Sequence, residues 1–147
     1  MPLKLSWNPF DPNDPGPIIR VVVMPPESEM EAGRAIGLEY PTPVPIMALI
    51  DTGSPFTIIN KVHATNRRLR LTNPNVPLRT IGGRSIGEEH CCSLSFPESD
   101  LPRIDVMGIV AAKFSREPSH ACLIGRDVIK HWNICFDGRS HTVTISV

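Results

Sequence analysis

No apolar run in this sequence approaches the roughly 20 residues that a helix needs to cross a bilayer. The opening stretch Met1-Pro2-Leu3-Lys4-Leu5-Ser6-Trp7-Asn8-Pro9 also lacks the apolar centre of a signal peptide, so a cytoplasmic location is expected. There is no excess charge of either sign, with 15 Lys and Arg against 15 Asp and Glu. That balance removes the general electrostatic case for nucleic acid or an anionic membrane as partner. Cysteine is scarce, four in all, and without an export signal the thiols are expected to be reduced. His90, Cys91, Cys92, His120 and Cys122 are the set from which zinc ligands can be assembled, but no Cys-x-x-Cys spacing pairs them. Buried thiols and surface histidines account for them, and neither a metal nor another cofactor is expected.

What the chain has in quantity is proline, 16 residues, alongside 10 glycines, which disfavours a mainly helical protein. Its 147 residues suit one domain able to bury its own core. Residues 1–17 read as a Pro-rich extended arm, either ordered by packing Trp7 and Phe10 or not, and residues 18–147 as the domain. Ile18 to Val23 is the first strand, closed by Pro25-Pro26. Glu27 to Tyr40, polar and carrying Gly33 and Gly37, reads as a loop or a frayed helical turn in a solvated insertion. Phe56 to Asn60 is rich in β-branched and aromatic residues and reads as a strand. Lys61 to Leu71 fits a short helix whose Arg67, Arg68 and Arg70 form an exposed face and not a phosphate patch, given zero net charge and no interleaved aromatics. Cys91 to Phe96 and Ile104 to Ala112 are further strands, and Asn133 to Ile145 is a hairpin turning at or near Asp137-Gly138. The fold class expected is all-β with one or two short helices.

The stretch Met47-Ala48-Leu49-Ile50-Asp51-Thr52-Gly53-Ser54 organises the rest. An apolar strand delivers one carboxylate towards a dry interior, where it is costly unless hydrogen bonds or a shared proton compensate it. Thr52 and Ser54 bring hydroxyls, and Gly53 permits a turn tight enough for backbone amides to reach Asp51. This is a rigid mounting for a general acid or base. Pro77 to Gly87 reads as a hairpin with Ile81, Gly82 and Gly83 at its tip. Ala121 to Ile124 is a strand that meets Gly125 and turns into a short helix with Val128, Ile129 and Trp132 on one face.

Asp51-Thr52-Gly53-Ser54 after apolar residues resembles the active-site loop of the aspartic proteases. A single such loop is similar to the retroviral type, in which each subunit of a homodimer contributes one Asp. Two further segments occur in that family's order: Ile81-Gly82-Gly83, which looks like the flap tip, and Gly125-Arg126-Asp127, which resembles the Gly-Arg-Asp or Gly-Arg-Asn leading into a helix. The resemblance covers about residues 44–147. It implies a retropepsin-like half-barrel working as a homodimer, an endopeptidase with Asp51 catalytic, Thr52, Gly53 and Ser54 supporting the loop, and Gly125, Arg126 and Asp127 structural. It implies a second copy and a peptide or protein substrate as partners, with no nucleic acid, membrane or metal. Residues 24–44 are longer than the compact viral arrangement. Pro55 stands where many viral enzymes carry an Asp that pairs with the arginine matching Arg126, and Ser54 where most have Ala. The rival reading is such a fold kept for dimerisation or peptide binding without effective catalysis.

Overall fold

Runs of β-branched residues become strands in the computed structural model of the chain, which describes residues 1–80, 82–114 and 120–147. In order these are β1 (Leu3–Ser6), β2 (Ile18–Met24), α1 (Glu27–Ala35), β3 (Ile46–Ile50), β4 (Ile58–Asn60), α2 (Lys61–Asn66), β5 (Arg70–Thr80), β6 (Gly83–Ser95), β7 (Ile104–Ala112), β8 (Cys122–Ile124), α3 (Arg126–Ile129), β9 (Asn133–Asp137) and β10 (Thr142–Ser146). The described residues are mostly β, as expected, but with three short helices where one or two were expected.

Seven strands form one sheet in the order β2-β3-β8-β4-β7-β6-β5, and a further pairing of β2 with the end of β6 closes it on itself. Side chains from β2, β3, β4, β6, β7 and β8 fill the interior, among them Val21, Val23, Ala48, Ile59, Leu94, Ile109 and Ile124. β3 and β8 run parallel with Leu49 opposite Leu123 and Ile50 opposite Ile124. The ends of these two central strands therefore emerge side by side, Asp51 next to Gly125. A second sheet, β1-β10-β9, holds the chain's two ends together. Within the Pro-rich arm, Leu3 pairs with Ile145 and Leu5 with Val143.

The insertion after β2 is a correction. Glu27–Ala35 is a helix, and the two glycines read as interruptions are what seat and end it. A Cβ on Gly33 would lie 2.0 Å from the Tyr40 hydroxyl, so only glycine lets that ring lie against the helix. Gly37, at φ +88°, closes the end, with its N–H donating to Arg34 O at 3.0 Å and that of Leu38 to Gly33 O at 2.9 Å. That double bond is the Schellman pattern, which favours a left-handed glycine. The expected strand Cys91 to Phe96 is likewise not separate: its residues to Ser95 are the second half of β6, one long arm of the β5–β6 hairpin.

No disulfide joins the four cysteines; Cys91, Cys92 and Cys122 are buried and Cys135, on β9, is exposed. Burial pushes the Cys92 thiol well up and the Cys122 thiol to about 12. The thiolate is the reactive form. In native protein no more than one thiol, that of Cys135, is therefore expected to react with an aromatic disulfide reagent near pH 8. Unfolding without reductant should release the full count of four. Rapid native labelling of a second thiol, or a shortfall after unfolding, would contradict this packing.

Candidate active site

β3 ends because Asp51 leaves the ladder. Its N–H still donates to Ile124 O at 2.9 Å, after which the chain turns and Ser54 N donates back to Asp51 O at 3.2 Å. Gly53 N donates to Asp51 Oδ1 at 3.0 Å, the contact the tight turn was expected to allow. The carboxylate does not reach a dry interior. Asp51 is half-buried, and Thr52 and Gly53 are exposed, because in one chain the loop lies at the floor of an open cleft. Ser54 turns inward, is buried, and donates its hydroxyl to Phe56 O at 2.6 Å.

The loop is held from behind by the turn between β8 and α3. Gly125 presses against it so closely that a Cβ there would lie 2.3 Å from Phe56 O and 2.9 Å from Ser54 O. The next residue, Arg126, donates its N–H to Ser54 O at 2.9 Å and its Nη1 to Thr52 O at 2.9 Å. Pro55 offers Arg126 no carboxylate, so another partner was expected for it. A backbone carbonyl of the loop itself takes that place.

Thr57 is the residue that sequence reasoning passed over. It is wholly buried, at 0% exposure, and joins both turns. Its hydroxyl donates to Asp127 Oδ1 at 2.7 Å and accepts from Gly125 N at 3.1 Å, while its N–H donates to Asp127 Oδ2 at 3.0 Å. Val128 N adds a third donor to Asp127, at 2.9 Å to Oδ1. A hydroxyl has one proton to give and lone pairs to accept with. Thr57 uses both capacities, so the second Asp of the region is fully engaged in bracing. Nothing in the local pattern marks a threonine at a strand's start for this role, since its partners lie far along the chain.

Above the loop stands the β5–β6 hairpin. The cleft between them has a volume of about 1350 Å³ and is lined by Asp51, Gly53, Ser54, Pro55, Phe56, Ile58 and Leu123 below and by residues 77–79 and 84–86 above. Gly83 has φ +119°, a conformation side chains resist, so the ribbon turns at a glycine. Gly82 is exposed beside it. Ile81, the other residue expected at the tip, lies outside the described residues.

The rival zinc set does not assemble. Among the described residues no three of His, Cys, Asp and Glu converge, and His90 instead bonds Leu69 O at 3.1 Å and Glu88 Oε2 at 3.3 Å. Among the described residues no helix is long and apolar enough to cross a membrane. In comparisons with known proteins, no family model and no curated protein matches the chain.

Proposed function

We propose that the chain is an aspartic endopeptidase that works as a homodimer, with the two Asp51 carboxylates at the twofold axis. One observation carries the reading. Asp51 sits on the floor of a peptide-sized cleft, beneath a glycine-turned hairpin, on a loop locked by Gly125, Arg126 and the Thr57–Asp127 bridge. A rigid carboxylate beside an accessible groove is what general acid–base attack on a peptide requires. The resemblance of the same segments to retroviral-type proteases points the same way.

A single carboxylate supplies half of the machinery, so the mechanism needs a second copy. As in aspartic proteases generally, two carboxylates about 3 Å apart do not both ionise readily and hold one proton between them. The ionised Asp51 takes a proton from a water lying between the pair as the water oxygen bonds to the scissile carbonyl carbon. The protonated Asp51 hydrogen-bonds the carbonyl oxygen as negative charge grows there. Collapse of the tetrahedral species passes a proton to the departing amine and breaks the C–N bond. No covalent enzyme intermediate forms. Gly53 N keeps Asp51 oriented, Thr52 is exposed where it can brace the opposite loop, and Gly82 and Gly83 let backbone amides approach the substrate.

The terminal sheet offers edges for association, since among the described strands β1 and β9 each pair with β10 alone. On β9 Phe136 is 48% exposed. Open edges invite pairing, and a homodimer closes them with twofold symmetry. Sedimentation equilibrium at tens of micromolar is expected to give twice the 16.2 kDa chain mass. A strict monomer there removes the mechanism, because no dyad can form. The direct test of activity is exposure of wild type to a diverse peptide library with mass-spectrometric detection of new termini, using Asp51→Asn as control.

A further inference from the structure

The hairpin above the cleft carries charge that water activation at Asp51 does not use. Arg79 and Arg84 are direct partners in the β5–β6 ladder, so their side chains stand together on one face of the ribbon. Both are exposed and both line the cleft that holds Asp51. Like charges set opposite one another repel. Three other surface arginines are neutralised by carboxylates, Arg20 by Glu98, Arg34 by Glu27 and Arg70 by Glu29, whereas Arg79 and Arg84 stand directly opposite one another. Arg79 and Arg84 make no ion pair or side-chain hydrogen bond with any described residue. Among the described residues lining the cleft, Asp51 is the one acid. The next pair on the same ribbon face, Pro77 and Ile86, is apolar, with Ile86 71% exposed, and Phe56 and Leu123 line the opposite wall. The groove thus combines apolar walls with a pair of guanidinium groups that no described carboxylate neutralises.

We infer that the cleft selects peptides in which apolar residues at the cleaved bond are flanked by aspartate or glutamate, whose carboxylates pair with Arg79 and Arg84. This rests on the peptidase reading for the word cleaved, though not for the binding itself. Guanidinium groups pair with carboxylates through parallel N–H···O bonds, which fix orientation as well as supplying attraction. In a twofold dimer each hairpin brings its own pair, so acidic residues are favoured on both sides of the bond.

The test uses two pools of synthetic peptides with a Leu-Phe centre and random outer positions, one with Glu and one with Gln on each side of that centre. Wild type is expected to cleave the Glu pool with a kcat/KM about tenfold higher, a preference that shrinks as salt is raised. In R79Q/R84Q, with circular dichroism and sedimentation unchanged, the two pools are expected to converge through loss on the Glu pool alone. The charge reversal R79E/R84E should move the preference to a third pool carrying Lys. Equal cleavage of Glu and Gln pools by wild type, or a Glu preference that survives R79Q/R84Q, overturns the proposal. Should wild type cleave nothing, fluorescence anisotropy of the labelled pools on Asp51→Asn decides the matter separately. Tighter binding of Glu peptides that disappears in D51N/R79Q/R84Q upholds the arginine site while the peptidase reading fails. Equal binding of the two pools overturns the site.

Discussion

Under the proposed mechanism, Asp51→Asn is expected to abolish peptide cleavage while leaving the fold and the proposed dimer intact. The substitution is nearly isosteric, and the amide oxygen can still accept the hydrogen bond that Gly53 N donates to Asp51 Oδ1 at 3.0 Å. What disappears is the titratable proton. Asparagine cannot take a proton from water, and although its amide N–H can hydrogen-bond the carbonyl oxygen it cannot give that proton up, so the acid–base work of the proposed pair fails. Acid–base catalysis at one group is worth about 10²–10⁴-fold, and losing both should cost about 10⁴-fold or more. That corresponds to a barrier increase of about 5 kcal/mol. Removing the charge also lifts the repulsion between two facing carboxylates, so the mutant dimer should be no weaker than wild type. Cleavage that persists in a contaminant-free Asp51→Asn preparation would falsify the assignment. Peptides that bind wild type and Asp51→Asn alike and are never cut would replace it with the binding-module reading.

How far the sequence discloses this arrangement depends on where the physical cause of each feature lies. Strands β2, β3, β7 and β8 are legible because their apolar, β-branched runs are local and are bounded by proline, glycine or charge. The parallel pairing of Leu49-Ile50 with Leu123-Ile124 is foreshadowed by the similar residues before Asp51 and Gly125. The loop contact between Gly53 N and Asp51 is legible too, since it spans two residues. β1 was not, because Leu3–Ser6 becomes a strand only through β10, at the other end of the chain. α1 was misread for a different reason. Glycine lowers helix propensity, but Gly33 leaves the space that the Tyr40 ring occupies, a tertiary contact that offsets a local preference. Thr57 and the carbonyl partner of Arg126 belong to the same class. A hydroxyl or a backbone oxygen gives no sign in the sequence of the distant group it serves. The expectation of a dry Asp51 failed because strand hydrophobicity reports the burial of Ile50 but not of the residue that follows the strand's end.

Gly125→Ala carries the second large expected effect, and it tests the brace without touching the reacting groups. An added Cβ would sit 2.3 Å from Phe56 O, 2.4 Å from Phe56 C and 2.9 Å from Ser54 O. All three are backbone atoms of the Asp51 loop, so no side chain can swing aside to relieve the contact. Either the loop or the start of α3 must move. Movement endangers the bond from Arg126 N to Ser54 O and the one from Gly125 N to Thr57 Oγ1. Overpacking of a tight site costs about 1–3 kcal/mol, and leaving a buried N–H unpaired adds about 1–3 kcal/mol. For a domain of this size the sum should lower Tm by about 10 °C. Cleavage should fall further than the folded fraction, because a loop displaced by even part of an ångström would misalign Asp51 with its counterpart in the proposed dimer. Gly138→Ala is the matched control: nothing lies within 4 Å of its added Cβ, and no positive φ strains it. That variant should melt within about 2 °C of wild type, since surface changes away from such contacts stay near ±0.5 kcal/mol. Wild-type stability and activity in Gly125→Ala would mean that the loop is not held in this way. The account of how Asp51 is kept rigid would then have to be rebuilt on other contacts.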